Sequence, residues 1–187
     1  MKIRRLPSTD SAVRRFAEDL WLPYHRELEA TVDAHALADD VDLVAEEVPF
    51  RLERLESEGY RAWVAVDATG DEGDEAERNA GDSDLADGDA VLAGFVTTEI
   101  DETPTVFDRP DQLVVGDIYV RDPYRGTGLA RDLIDRAAER ARAADCPELV
   151  LDVDVDNERA VRFYEALGFE TARRRLRAGV DEVSSDP

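Results

Sequence analysis

The sequence predicts an α/β fold built on one mixed sheet, and three observations predict it. Short runs alternate apolar and polar residues, as in LVLDVDV, which is the period of a strand with one buried face. Longer runs place apolar residues three and four apart, as in LARDLIDRAAERARAA, the period of a helix lying on a sheet. The two kinds of run alternate, six reading as strands and four as helices, and 187 residues with 43% hydrophobic side chains suit a single domain over 1–187.

Lys2 to Leu6 form the first predicted strand. Ser8 or Thr9 then offers an N-cap to a helical stretch ending at about Glu29. A second helix is predicted from Leu43 to Glu58, because Val44, Val48, Leu52 and Leu55 recur at spacings of four, four and three. Gly59 follows where a helix ending favours glycine. Arg61 to Asp67 and Val91 to Ile100 read as strands paired through an expanded hairpin. Its acidic insert, at about 68–90, has almost no large apolar side chain and too little to bury to order itself.

From Gln112 the pattern tightens: QLVVGDIYV is a strand, RDPYRGTG a turn, and 129–144 a helix. Ala130, Leu133, Ile134, Ala137, Ala138 and Ala141 make its apolar stripe, while Arg131, Asp132, Asp135, Arg136, Glu139 and Arg140 face away. Pro147 interrupts the helix, LVLDVDV follows as a strand, and Asp156 or Asn157 caps a short helix running to Leu167. Gly168 suits the C′ position of a Schellman ending with Phe169 as its apolar contact. One more strand fits between Phe169 and about Val180, and 181–187 form a loose tail.

Charge narrows the function classes. The 45 acidic residues outnumber 23 basic ones, giving a net charge of -22, and Lys2 is the only lysine, which argues against nucleic acid as a partner. Periodic apolar segments carry the acids on their outer faces, so the composition is that of a folded protein solvated by carboxylates in concentrated salt, similar to proteins of salt-loving archaea. Cys146 is the single cysteine, which rules out an intrachain disulfide and reads as a small buried hydrophobe. His25 and His35 stand ten apart without a ligand cluster. The run Asp152 to Asn157 imitates a calcium loop but puts Asn157 where glycine is needed and Phe163 where glutamate is needed. No metal is expected. The N-terminus has no signal-peptide core and no run reaches about 18 apolar residues, so a cytoplasmic protein without membrane contact is expected.

The segment that carries chemistry is Arg125-Gly126-Thr127-Gly128-Leu129-Ala130, between a strand and a long helix. Glycines there let the backbone turn tightly and expose successive N–H groups, and the helix that follows brings about half a positive charge to its N-terminus. A pyrophosphate suits such a turn, although a lone GxG is more simply a surface turn that uses glycine for its dihedrals. A P-loop needs GK followed by Ser or Thr, which is absent. A dinucleotide fold finds an acid at Asp152, but Arg131 stands in the third glycine's place and too little chain follows for a second half.

The third reading is coenzyme A. Arg125, Gly128 and Ala130 match the pyrophosphate signature of the GNAT superfamily of N-acetyltransferases, and DVDVDNERAVRFYEALGFE resembles that family's later cofactor-binding segment. The resemblance covers about residues 112–170. It implies an α+β GNAT fold, a mixed, mostly antiparallel sheet of about six to seven strands flanked by about four helices. It also implies acetyl-CoA as cosubstrate, with the backbone of Ile118, Tyr119 and Val120 along the pantetheine arm and Arg125, Gly126, Thr127, Gly128, Leu129 and Ala130 around the pyrophosphate. Asn157 would bind the pantetheine arm and Tyr164 would lie near the thioester sulfur. Read alone, Asn157 is equally a helix cap and Tyr164 a core aromatic beside Phe163. The chain leaves room for one strand after Phe169 where many members have two, so part of the acceptor wall is missing or comes from a second subunit, as in a homodimer.

An alkylamine has a pKa of about 10 and must lose a proton before it attacks a thioester. A carboxylate at the acceptor site, acting directly or through water, would take it. Asp117 on the cofactor strand and Glu99 at the end of the preceding strand are the candidates, with Asp117 favoured, and both also read as plain solvated acids. A backbone N–H near Val120 would stabilise the oxyanion and Tyr164 would protonate the departing thiolate. The expected activity is acetyl transfer from acetyl-CoA to a primary amine by direct attack in a ternary complex, the amine being a small molecule, a peptide N-terminus or a lysine. The competing reading is a non-catalytic acyl-CoA-binding regulatory module of the same fold. Trp21, Tyr24 and Phe50 are expected to line the acceptor wall or, equally, to fill core.

Overall fold

The computed structural model describes residues 1–67, 85 and 90–180. The acidic insert, apart from Leu85 and Ala90, and the tail at 181–187 lie outside the described residues. The chain divides into two compact units, Met1–Asp152 and Val153–Pro187.

The first unit holds one sheet in the order β1-β2-β3-β4-β5. These are β1 (Lys2–Arg5), β2 (Tyr60–Asp67), β3 (Val91–Asp101), β4 (Gln112–Val120) and β5 (Leu149–Val150). Neighbours are antiparallel except β4 and β5, which are parallel. A parallel pair needs a crossover, and α4 (Leu129–Ala143) supplies it. Period-two alternation along β2 sends Tyr60, Ala62, Val64 and Val66 to one face, where they meet α1 (Asp10–Phe16), α2 (Leu22–Glu29) and α3 (Leu43–Glu56). Phe16, Leu20, Phe95 and Leu92 are sealed in that core. The opposite face carries α4, whose Leu133, Ile134, Ala137 and Ala141 are buried as its stripe predicts.

The first predicted helix is continuous but not uniform. A π-helical turn at Ala17–Trp21 joins α1 to α2, and the Leu22 N–H reaches back five residues to Ala17 O. Pro23, in the first turn of α2, has no N–H to offer the preceding turn, which accounts for the widened spacing. Thr9 is the N-cap of α1 by position, without a side-chain bond. The Asp42 carboxylate caps α3 by accepting from Ala45 N–H at 3.0 Å. That helix ends at Glu56, before the predicted Glu58, because Ser57 is already extended.

The predicted strand over 149–155 shortens to Leu149–Val150, because its ladder to β4 stops at Val114, just ahead of an irregularity in β4. Arg136 and Arg140 do not face away from the sheet. The Arg136 guanidinium lies over the Trp63 ring at 3.9 Å, and Arg140 donates to Thr98 O at 2.8 Å and to Gly59 O at 2.6 Å. Long side chains with cationic tips can cover a sheet in this way.

The second unit contains α5 (Glu158–Ala166). Its Schellman ending forms as predicted: Gly168 has φ of 91°, its N–H donates to Glu165 O, and Phe169 N–H donates to Tyr164 O, both at 3.0 Å. The strand expected up to Val180 is absent among the described residues; 170–179 are irregular and exposed. Arg173, Arg174, Arg175 and Arg177 crowd like charge into that segment, and Leu176 and Val180 remain 90% exposed. Among the described residues the sheet therefore has five strands where six or seven were expected, and four helical rods are found once α1 and α2 are counted together. No helix among the described residues is long and apolar enough to cross a membrane.

Candidate active site

The site is built on β4. Val96 pairs with Ile118 but Thr98 pairs with Val115, so Gly116 and Asp117 together oppose Thr97 in a β-bulge. Thr97 Oγ1 accepts from Asp117 N–H at 2.8 Å, satisfying an amide that the bulge takes out of the ladder. Gly116 is required by close approach, since a Cβ there would lie 2.6 Å from Thr97 Oγ1. Beyond Val114 the edge of β4 next to β5 has no strand partner among the described residues. The backbone of Ile118, Tyr119 and Val120 thus lies on an open edge, which can receive an extended, amide-bearing ligand.

The edge runs into the glycine turn. Gly126 and Gly128 have φ of 76° and 96°, the left-handed region that favours glycine. A Cβ at either would meet nothing within 4 Å, so the space in front of the turn is open. Arg131 and Asp132 N–H groups close the first bonds of α4 on Gly128 O, at 2.9 and 3.2 Å, leaving the amides of Leu129 and Ala130 ahead of the first closed turn. Donors of this kind, at the positive end of a helix, fit a pyrophosphate. The Thr127 hydroxyl donates to Tyr124 O at 2.7 Å, and Tyr124 OH donates to Asp67 Oδ2 at 3.0 Å, which pins the turn to the end of β2.

Arg125 is occupied within the protein. Its Nε donates to Val120 O at 2.9 Å, Nη1 to Asp122 Oδ1 at 2.9 Å and Nη2 to Glu27 Oε2 at 2.5 Å. Its side chain therefore shapes the turn, while the turn's main chain faces the open space. Glu27 Oε1 also accepts the Tyr119 hydroxyl at 2.7 Å. Burial and that bond push the Tyr119 phenol up to about 12.

A cluster of ionisable groups surrounds the bulge on the helical side. The charge of half-buried Asp117 acts on His25 of α2, on Glu47 and Arg51 of α3, and on Tyr60 of β2. Glu47 and Arg51 form an ion pair at 2.5 Å with both side chains only 5% exposed. Arg51 Nη1 also donates to Tyr60 OH, and the guanidinium stands over the Phe16 ring at 5.4 Å. Burial pushes the Glu47 carboxyl up, with Arg51 opposing and Asp117 adding to the rise. His25 packs against the rings of Trp21 and Tyr24 at 4.6 and 4.7 Å, and burial lowers its pKa against the opposing pull of Asp117. Burial thus favours its neutral form.

Of the two carboxylates singled out in the sequence, only Asp117 belongs to this cluster. Glu99 lies opposite Val114 in the ladder and pairs with Arg54 at 2.8 Å. Trp21 and Tyr24 are half-buried against the core, and Phe50 is exposed. Sequence reasoning missed Glu27, His25, Glu47, Arg51 and Tyr60. The Glu47–Arg51 pair had a usable signal: the two are four apart and each precedes an apolar stripe residue, Val48 and Leu52.

In the second unit, Asn157 is the N-cap of α5, its Oδ1 accepting from Ala160 N–H at 3.2 Å. Tyr164 is 7% exposed, and its ring contacts those of Phe163 at 5.3 Å and Phe169 at 5.5 Å. No group of three or more metal-ligating side chains occurs among the described residues.

Comparison with known proteins gives this geometry a family. Residues 42–169 match the model of the Acetyltransferase (GNAT) family. N-alpha-acetyltransferase 30 of Saccharomyces cerevisiae is 32% identical over 68 residues, 36% of this chain and 39% of that protein, so the chain spans well under half of that relative. Among solved structures, the BH1408 protein of Bacillus halodurans, in a tetramutant form, superposes with a TM-score of 0.71 at 19% identity over 96% of this chain and 100% of that one. The aminoglycoside N-acetyltransferase AAC(6')-Iy, solved with CoA, superposes with a TM-score of 0.61 at 18% identity over 95% of this chain and 93% of that one. At these identities the structural likeness is one of fold. The family match covers more than half of the chain and contains both the β4 bulge and the glycine turn, and the chain belongs to the GNAT family of acetyltransferases.

Proposed function

We propose that this chain moves an acetyl group from acetyl-CoA to a primary amine by direct attack within a ternary complex. One observation carries the reading: the bulge at Gly116 and Asp117 sets a carboxylate beside an open strand edge that leads to a left-handed glycine turn at a helix N-terminus. When bound, acetyl-CoA supplies an activated thioester. The amides of the turn and of Leu129 and Ala130 hold its pyrophosphate. The β4 edge from Ile118 to Val120 pairs with the pantetheine arm, and a backbone N–H near Val120 faces the carbonyl oxygen as charge develops there.

Asp117 attracts the incoming ammonium and takes its proton, so that the free amine attacks. Neutral His25, within the field of Asp117, adds no competing positive charge. Asn157 is proposed as a ligand of the pantetheine arm and Tyr164 as the proton donor to the departing thiolate, both on the family resemblance. Support for acetyl-CoA as the acetyl source comes from the aminoglycoside acetyltransferase of the same fold, which was solved with CoA. The acceptor class is an amine of a small molecule, a peptide N-terminus or a lysine; the net charge of -22 favours a cationic acceptor without choosing among these.

Calorimetry with CoA, followed by thiol release over a panel of amines, tests the proposal. CoA is expected to bind wild-type protein and to bind Gly128→Val at least tenfold more weakly. Absence of CoA binding overturns the donor assignment. Binding without thiol release for any amine assigns a non-catalytic acyl-CoA-binding module instead.

A further inference from the structure

We propose that the cleft between β2 and α4, on the sheet face opposite the one covered by α1, α2 and α3, is a second binding site, for a small oxyanion of the carboxylate or phosphate class. In a chain with 45 acidic against 23 basic residues, a cluster of neighbouring arginines without a carboxylate partner needs a reason. Arg51, Arg54 and Arg125 all have such partners. Arg5 of β1, Arg61 of β2 and Arg140 of α4 are neighbours and form no carboxylate ion pair among the described residues.

Arg61 and Arg140 are held by their surroundings without being neutralised. Arg61 Nη1 donates to Ser57 O at 3.0 Å and to Tyr60 O at 2.6 Å, and Arg140 donates to Thr98 O and Gly59 O. Backbone carbonyls fix their direction and leave the net charge in place. Burial, followed by repulsion from Arg61 and Arg5, pulls the Arg140 pKa down to about 10. Burial and Arg5 likewise lower Arg61. The opposing carboxylates are Glu99 toward Arg140 and Glu58 toward Arg61, neither at ion-pair distance. Bringing three like charges together costs stability unless an anion joins them.

The cleft has room for one. A cavity of about 280 Å³ is lined by Arg61, Trp63, Arg136 and Arg140, with Glu139 the one carboxylate on its wall. Glu139 is itself held by Arg136 Nη1 at 2.6 Å. Trp63 Nε1 and Arg136 Nε are buried donors without a hydrogen-bond partner. Unpaired buried N–H groups are uncommon and call for an acceptor. Trp63 and Arg136 both line the cavity and the Arg136 side chain is 37% exposed, so moving its guanidinium off the Trp63 ring uncovers these donors to an oxyanion that also meets the charges of Arg61 and Arg140.

The test titrates the full chain with inorganic phosphate and, separately, with citrate at ionic strength fixed by potassium chloride, reading tryptophan fluorescence and the thermal midpoint. A saturable change in both readouts is expected with at least one of the two anions, and which one responds identifies the source. Arg61→Gln and, independently, the exposed Arg5→Gln are expected to weaken it at least fivefold. Trp63→Phe should abolish the fluorescence response, and Gly128→Val should leave the anion response unchanged. The inference is overturned if neither anion produces a change, if chloride alone reproduces it, or if Gly128→Val removes it while the arginine variants retain it, which moves the anion to the glycine turn.

Discussion

Glu27 Oε2 stands 2.5 Å from Arg125 Nη2 while its Oε1 accepts the Tyr119 hydroxyl, so one carboxylate of α2 grips both β4 and the glycine turn. Helix α2, proposed to border the acceptor, is thereby tied to the loop proposed to bind pyrophosphate. The pair is partly exposed, at 23% for Arg125 and 49% for Glu27, so its contribution is bounded at about 1 kcal/mol by solvent screening. Glu27→Gln is expected to raise the KM for acetyl-CoA about threefold to fivefold with little change in kcat. A kcat that falls while KM stays fixed would show that Glu27 acts on the acceptor instead of on the turn.

Gly116 tests the bulge. A Cβ there meets Thr97 Oγ1, the atom that accepts from Asp117 N–H, so Gly116→Ala must push the two strands apart or break that bond. Thr97→Val removes the same acceptor without crowding and strands the amide, at a cost of about 1–3 kcal/mol. Both changes should shift Asp117 and lower kcat about tenfold or more while CoA binding, measured by calorimetry, stays within about twofold. Equal losses in kcat and in CoA binding would place the bulge in the cofactor site alone.

How far the site was legible in the sequence follows from what each part requires. The glycine turn could be read because left-handed backbone restricts the residue type, and Gly126, Gly128 and Gly168 all take it. The Schellman ending was legible for the same local reason. Gly116 was not, because its need arises from Thr97 on the neighbouring strand, which no local pattern reports. Arg136 and Arg140 fell on the polar side of a helical wheel, yet their length let them fold back over Trp63 and Thr98. The strand expected up to Val180, for which the sequence offered only room after Phe169, is not formed among the described residues, where Arg173, Arg174, Arg175 and Arg177 crowd like charge into the segment.

The buried pair Glu47–Arg51 makes an asymmetric prediction. Arg51→Met leaves the Glu47 carboxylate buried without its cation and is expected to destabilise the fold by about 3–5 kcal/mol. Adding Glu47→Leu removes the orphaned charge and should recover most of the loss. Urea denaturation of wild type, both single variants and the double variant closes the cycle. A double variant no more stable than Arg51→Met would mean that the pair is held for packing against Phe16 and Tyr60, not for charge balance.

His25 supplies a pH dependence with a definite sign. Burial holds its folded pKa below the ordinary 6.5, so between those two values the unfolded chain binds the extra proton. Stability therefore rises with pH through that window, is complete above about 6.5, and is lost as pH falls toward the folded pKa. Asp117 pulls the other way and His35 and Arg51 reinforce the shift. His25→Gln is expected to flatten the acid side of the melting-midpoint profile between about pH 5 and 7. An unchanged slope would show that His25 is solvated and equally basic in both states.

The two candidate bases separate by what already neutralises them. Glu99 is paired with Arg54 and lies along the strand from the bulge, so Glu99→Gln removes a half-exposed ion pair and should leave kcat within about twofold. Asp117 stands at the bulge with its charge directed among His25, Glu47, Arg51 and Tyr60. Asp117→Asn removes the proposed proton acceptor and keeps the shape, and general-base loss of this kind is expected to lower kcat by about 100-fold at pH 7. Raising the pH deprotonates the free amine in solution and so should restore part of the variant's rate as pH climbs toward about 10, whereas wild type should level off earlier. If Asp117→Asn and wild type show parallel profiles, the proton leaves by another route. If Glu99→Gln instead shows the alkaline rescue, the base is Glu99 and the bulge serves only to open the strand edge.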